Sequence, residues 1–495
     1  MKQYNNYADL ITYTRASSGT ALRPISYGDE LVSNGTFDSD VSGWTASSPA
    51  TLAAVSGELE VTGASTASQG CYQSVSTTIG KVYEFKIDAR LGTAASPIQI
   101  RVDSGPSPSV SVIPQILVTS TDMQTFTAIF VAQNSNHNVY LRVAQVGTAY
   151  FDNISVREVL FDQPDGTLTL FNHPTNIPRI EYDSDGNRLG LLVEEQRTNL
   201  VTYSENFSDA GWTISNSTKT VGVADPFGGT TAMTLTATSA NGQVLRSIGG
   251  SLGTGTSYTG SFYIRRRTGT GVVSLFNPNG GGITAIAATS EWTRHSVIGL
   301  GAAATNYIGV RLVTSGDEVD IAYAQFEAGS FPTSYIPTSG STATRSADVA
   351  SIGVSAFGYN QAEGTLVVEV SSYEGNPKLV HLNDGSDSNR AQITAAESNV
   401  AGYVQATGDS GSFVSISGAP SIPFKAGLGL ETNNIGLAVN SSAVSVDTSQ
   451  NMPVSVSKLN IGSSSNNAVV GQAYIKSIKY YPRRLTNAQL QELTS

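Results

Sequence analysis

"LVSNGTFDSDVSGWT", residues 31–45, returns further along the chain as "LVTYSENFSDAGWT", residues 200–213. Each opens on Leu-Val, crosses a polar turn to a phenylalanine, and closes on Gly-Trp-Thr. A second pair keeps the same spacing: "NVYLRVAQVGTAYFDNISVREV" (138–159) and "NYIGVRLVTSGDEVDIAYAQFEAG" (306–329). The step from Trp44 to Trp212 and the step from Arg142 to Arg311 agree to within one residue. Landmarks near both ends of a segment that recur at one offset mark a tandem duplication. The fixed place of each tryptophan after its turn predicts core packing.

Inside each copy the pattern has period two. In "VYEFKIDAR" (82–90) Tyr83, Phe85, Ile87 and Ala89 point one way, and Glu84, Lys86, Asp88 and Arg90 the other. "IQIRV" (98–102) and "VYLRV" (139–143) alternate likewise. Such strands bury one face and wet the other, and several of them separated by Gly, Ser and Asn clusters predict an antiparallel sandwich or jelly roll. Composition agrees. Of 495 residues only 14% are charged, 39% are hydrophobic and 49 are glycine. Long exposed helices would need more Glu, Lys and Arg, and disorder would need fewer apolar residues.

A net charge of −11 and a pI of about 4.9 argue against a nucleic-acid partner, which calls for a basic face. The one dense basic run, Arg265-Arg266-Arg267, falls in a predicted strand, where neighbours face opposite ways. A single cysteine, Cys71, leaves no internal disulfide framework. The opening "MKQYNNYADLITYTR" lacks the apolar stretch of a secretory leader, and no apolar run is long enough to span a membrane. The expectation is a protein made in a cytoplasm that carries the composition of an extracellular adhesin, a tension that a virus particle protein released by lysis would resolve, as would a secreted protein whose leader lies outside this sequence.

The reading divides the chain into an N-terminal attachment segment (1–29), jelly roll 1 (30–160), a connector (161–198), jelly roll 2 (199–338) and a terminal sandwich (339–495). The last follows the Pro-, Ser- and Thr-rich bridge "FPTSYIPTSGSTATRSADVASIG" (331–353) and holds strand-like "GTLVVEV", "IGLAVN" and "AYIKSIKYY". One helix is predicted, in "RLTNAQLQELTS", where Thr486 and Gln489 have capping-box spacing.

Several motifs invite a catalytic reading. The connector stretch "GLLVEEQRTNL" (190–200) carries Glu194, Glu195 and Arg197. Paired acids would suit glycoside hydrolysis, but neighbours on a strand face opposite sides. The reading preferred is that Arg197 and Glu195 fix the connector against a neighbouring sheet. "TGDSGS" (407–412) echoes a serine-protease nucleophile loop at Ser410, yet the nearest upstream histidine, His381, lacks matching context, so a hairpin turn is expected. His137, His173, His295 and His381 show no metal-ligand spacing. "NPNGGG" (277–282) lacks the Lys-Ser/Thr of a phosphate loop and reads as a turn.

The polar sheet faces are the expected contact surfaces for glycan or a second protomer. Copy one offers Lys86, Asp88, Arg90, Gln99, Arg101, Tyr140 and Arg142, and copy two Tyr263, Arg265, Tyr307 and Arg311. Sugars need an aromatic surface for the ring and planar polar groups for its hydroxyls, and Arg and Tyr also dominate protein interfaces.

"ELVSNGTFDSDVSGWT" with the closing "AYFDNISVREV" resembles the jelly rolls of carbohydrate-binding modules, related to galactose-binding-like domains. "GLLVEEQRTNLVTYSENFSDAGWT", "AYAQFEAGSFPTSYIPTSGSTATRSADV" and "GQAYIKSIKYYPRRLTNAQLQEL" resemble segments that recur in bacteriophage tail and head fibres. The last is also similar to the concanavalin-like, laminin-G-like sandwich. The resemblance spans most of the chain from about residue 30 and rests on module order. It implies an all-β chain of two jelly rolls and a concanavalin-like sandwich with a short C-terminal helix. It also implies a non-enzymatic virion fibre or spike, assembled with other head or tail proteins and trimeric in its self-association, that attaches to host surface glycans. An architectural decoration protein and a polysaccharide depolymerase are the alternatives. In the resembling jelly rolls, acids at the places of Asp38 and Asp152 help hold a structural calcium; Ser208 departs from this in copy two. No other cofactor is called for.

Overall fold

A computed structural model describes residues 10–65, 69–94, 97–105, 110–143, 145–249, 252–303 and 306–495. The chain is all-β: two jelly-roll sandwiches, a concanavalin-like sandwich, and one short C-terminal helix. It forms two compact units. Pro24–Thr167 is one; Met1–Arg23 together with Leu168–Ser495 is the other.

In the first unit a five-stranded sheet runs in the order Thr45–Ser47, Gly70–Ser76, Asn136–Arg142, Ile98–Asp103, Ile116–Val118. Facing it, Val82–Leu91 pairs with Gln124–Val131 on one side and with Gly147–Phe161 on the other. The inward residues named by the alternation, Phe85, Ile87, Ala89, Ile98, Ile100, Val102, Val139 and Leu141, close into one core. The repeated motif explains the hub of that core. Phe37 and Trp44 pack at 5.8 Å, and the Trp44 indole N–H donates to the carbonyl of Asn34 in the turn at 3.2 Å.

The second jelly roll repeats this in the larger unit. Its five-stranded sheet runs Trp212–Ser215, Gly242–Ser247, Tyr307–Leu312, Val273–Phe276, Ile283–Ile286, the same succession as in copy one. Phe207 and Trp212 pack at 4.9 Å, and the indole donates to the Tyr203 carbonyl at 2.9 Å. Even the irregularity is duplicated. The long closing strand slips register at Asn153 in copy one and Tyr323 in copy two, each in the left-handed region at φ 49° and 52°.

The concanavalin-like sandwich has two seven-stranded sheets around a third core. Residues ahead of and between the jelly rolls take part in it. Thr12–Thr14 pairs antiparallel with residues 349–351 and buries Tyr13. Arg188–Glu194, in the stretch expected as connector, pairs with Gln472–Tyr481 and buries Leu191 and Val193. The helix Asn487–Leu493 starts on the predicted capping box, with Thr486 and Gln489 bonded reciprocally, and buries Leu490 against the sheet. Residues 1–9 of the attachment segment lie outside the described residues.

Candidate ligand-binding face

The acids of the connector are structural. Glu194 is fully buried and reaches Arg179 at 2.8 Å and Arg345 at 3.5 Å, while the amide and hydroxyl of Ser334 donate to its two oxygens at 2.7 and 2.6 Å. Asp348 pairs with Arg15 at 3.1 Å and, by a short contact, with Arg179, and also accepts the Tyr13 hydroxyl. Burial works to raise both carboxyls. Arg345 and Arg179 outweigh it at Glu194, and Arg179, Arg345 and Arg15 at Asp348, so both lie below the usual carboxylate range. An ionised, sealed carboxylate has no access to a substrate. Glu195, as expected, fixes the chain: it pairs with Arg197 at 2.5 Å and accepts the Gly471 amide at 2.7 Å. Arg197 lies over the Phe331 ring and against Gly329, where an added Cβ would overlap the guanidinium.

The five-stranded sheet of copy one presents a platform on its outer face. Tyr140 lies directly opposite Tyr72 on one side and Arg101 on the other. The two rings sit 5.2 Å apart at 37° and are half-buried, so each keeps surface open to solvent. Arg142 lies opposite Gln99, which in turn opposes the exposed Leu117. Arg101 is held in place by Asp103, at 2.9 Å. Antiparallel partners share a face, so Tyr72, Tyr140, Gln99, Arg101 and Arg142 form one surface. Gly70, opposite Arg142, keeps the edge low: a Cβ there would strike the Leu141 carbonyl at 1.9 Å.

Tyr72 was not anticipated as a site residue. Its strand, "GCYQSVS", hides its alternation because the inward position next to it is Gln73, a buried polar side chain bonded to the backbone of Ser33.

The remaining predicted residues of copy one belong to the opposite sheet. Lys86, Asp88 and Arg90 are on Val82–Leu91, so the candidate residues of this copy lie on two faces, one on each sheet. Their face is largely satisfied internally. Arg90 makes a forked pair with Glu58 at 2.5 and 3.2 Å and covers the Tyr150 ring at 4.0 Å. Asp88 accepts Asn153 Nδ2 at 2.8 Å, and Lys86 stays exposed beside it.

Copy two divides the same way. Tyr307 and Arg311 occupy the sheet matching the platform, whereas Tyr263 and Arg265 sit on Ser257–Thr268 of the other. The platform is not reproduced. Arg311 lies between Gln243 and Ser274 and donates to Asn241 at 3.1 Å; Gly309 and Leu245 stand where the tyrosine pair would be. The basic run is neutralised, Arg265 and Arg267 on Asp320 and Arg266 on Asp317.

Asp38 is exposed and accepts the Thr36 hydroxyl at 2.7 Å; Asp152 accepts the Asn153 amide at 2.7 Å. Burial raises the Asp152 carboxyl, helped by Asp88, Glu58 and Asp38. Among the described residues no three acidic, histidine or cysteine side chains gather as metal ligands. Residues 407–412 and 277–282 form hairpin turns, between Asn399–Gln405 and Ser412–Ser417 and between Val273–Phe276 and Ile283–Ile286. His381 is buried, its imidazole lowered to about 4 by burial and Lys378.

No protein-family profile matches the chain, and no curated protein matches its sequence. Among solved structures, it is similar to a CBM4 module at 19% identity, covering 26% of this chain and 99% of that one, TM-score 0.23. The CBM22-1–CBM22-2 tandem of Paenibacillus barcinonensis Xyn10C is 14% identical over 61% of this chain and 98% of its own, TM-score 0.25. Domains LG4-5 of the mouse laminin α1 chain are 10% identical over 90% and 97%, TM-score 0.19.

Proposed function

We propose that the chain is a non-catalytic glycan-binding protein of a bacteriophage particle, a fibre or spike exposed on the virion and attaching to host surface polysaccharide. The observation that carries the glycan reading is the half-open Tyr72–Tyr140 pair framed by Gln99, Arg101 and Arg142 on one sheet face. The rings offer a surface for the apolar side of a pyranose, and the flanking amide and guanidinium groups suit its hydroxyls. Burial of Glu194 in ion pairs supports a role without catalysis. The virion reading rests on the resemblance of residues 190–213, 322–349 and 471–493 to fibre segments. Self-association, as a trimer, would multiply a weak single-site affinity by avidity.

The test is binding of the purified protein to host cells before and after their surface polysaccharide is stripped. Binding that disappears on stripping, and with Tyr140→Ala, supports the proposal. Undiminished binding to stripped cells, or none to either, would favour an architectural decoration protein whose Arg and Tyr face another virion protein. Release of shortened polysaccharide would point to the depolymerase.

A further inference from the structure

The larger unit contains a cavity of about 440 Å³, lined in part by Tyr263, one of the expected contact residues. Its walls come from four parts of that unit: the N-terminal strand at residues 20–22, Glu181, jelly roll 2 and Gln472 with Tyr474 of the terminal sandwich. The jelly-roll wall is aromatic. Tyr263 stands edge-on to Phe227 at 5.2 Å, and Trp292 is backed by the Arg265 guanidinium at 4.9 Å from its ring.

The polar groups of the cavity are incompletely satisfied. Gln472 is 4% exposed; its Nε2 donates to the Tyr474 hydroxyl at 2.5 Å, and among the described residues its Oε1 finds no partner. Arg294 holds the Thr333 carbonyl at 2.6 Å and the Ser261 hydroxyl at 3.0 Å, yet its buried Nε–H is unpaired among the same residues. A buried polar atom left without a partner is uncommon in a folded chain, and both of these belong to residues that wall the cavity. Glu181 accepts the Leu22 amide at 2.9 Å, and burial pushes its carboxyl up to about 8 despite that bond. At neutral pH it is largely protonated, an uncharged donor and acceptor.

We infer that this recess is a second carbohydrate site, one that takes a single neutral pyranose ring against Trp292 and Tyr263, with its hydroxyls meeting Gln472, Glu181 and Arg294. The volume suits one or two sugar residues, not an extended chain lying along a sheet. A neutral ring is favoured because the uncharged Glu181 carboxyl can both donate to and accept from its hydroxyls. The site is independent of the Tyr72–Tyr140 platform and does not rest on the virion reading.

The chain has three tryptophans, and Trp44 and Trp212 are buried in the jelly-roll cores, so Trp292 is the accessible fluorophore. The test is titration of the full chain with methyl glucoside, methyl galactoside, N-acetylglucosamine and glucuronate, following tryptophan emission. The expected result is a saturable change with at least one neutral sugar in the millimolar range. It should persist in Tyr140→Ala, and weaken about tenfold or more in Tyr263→Ala and Thr293→Arg. Thr293 sits exposed at the rim, so its variant blocks entry without touching a core. No saturable response to any neutral sugar, or an unchanged response in Thr293→Arg, would overturn the assignment. A response to glucuronate alone would overturn it as well. Loss of polysaccharide binding in Tyr140→Ala with the Trp292 response intact would separate the two sites.

Discussion

The two jelly rolls share a strand order, a Phe–Trp hub and a slipped closing strand, yet their matching outer faces differ. Where copy one sets Tyr140 opposite Tyr72, copy two sets Gly309 opposite Leu245. A side chain cannot simply be restored there, because a Cβ on Gly309 would lie 2.4 Å from the Val244 carbonyl and 2.6 Å from Leu245. The inward residues are held alike by close packing, while the outward ones answer only to solvent or a ligand. Copy one therefore carries the candidate face, and copy two is tied into the terminal sandwich through the ion cluster and the aromatic recess.

The largest effect should come from breaking that tie. Asp348→Ala leaves Arg15 and Arg179 buried without their shared carboxylate, at a cost of about 5 kcal/mol. Calorimetry should show the transition of the larger unit fall while that of Pro24–Thr167 stays. Acid should act the same way. Glu194 and Asp348 titrate lower in the folded chain than unfolded, so their stabilisation is present above the ordinary carboxylate pKa and lost as pH falls through the depressed values. Melting followed from pH 7 to below about 4 should lower the larger unit selectively. Equal losses in both units would contradict the division.

Next come the twin hubs. Phe37→Ala and Phe207→Ala each remove a fully buried ring beside a tryptophan, and each should cost about 3–4 kcal/mol in its own unit only. If either variant lowers both transitions, the two copies do not fold as separate cores.

The duplication, the alternation and the capping box were legible because each is local: a motif, a period of two, a spacing of three. The site was half legible. Tyr140, Arg101 and Arg142 stand out because their strands alternate cleanly, but which sheet a strand joins depends on pairing across distant sequence. The expected contacts of each copy therefore carry no division between its two sheets. Tyr72 was hidden by Gln73 facing inward beside it. The ion cluster was illegible for another reason. Arg15, Arg179, Glu194, Arg345 and Asp348 come from four stretches of chain, and nothing in any one of them announces that its charge will be buried.

Tyr140→Ala sharpens the comparison at its centre. Removing one ring of the platform should weaken polysaccharide binding by about 2 kcal/mol, with little change in the melting of the first unit because the ring is only half-buried. Leu245→Ala, at the matching place in copy two, should leave binding unchanged. Surface plasmon resonance on immobilised polysaccharide reads both.

The smallest and most discriminating effect lies in the paired arginines. Arg142 and Arg311 hold the same place in the two copies, each central in its five-stranded sheet and half-buried. Only Arg142 has a tyrosine pair beside it. If the face of copy one binds glycan through that combination, Arg142→Ala should weaken binding by about 1 kcal/mol or more, the loss of a charge-assisted hydrogen bond. Arg311→Ala should leave binding unaltered and shift stability by less than about 0.5 kcal/mol, since its bond to Asn241 is exposed. Equal losses from both would mean that the guanidinium alone, and not the aromatic platform, selects the ligand, and copy two would then be a binding face as well.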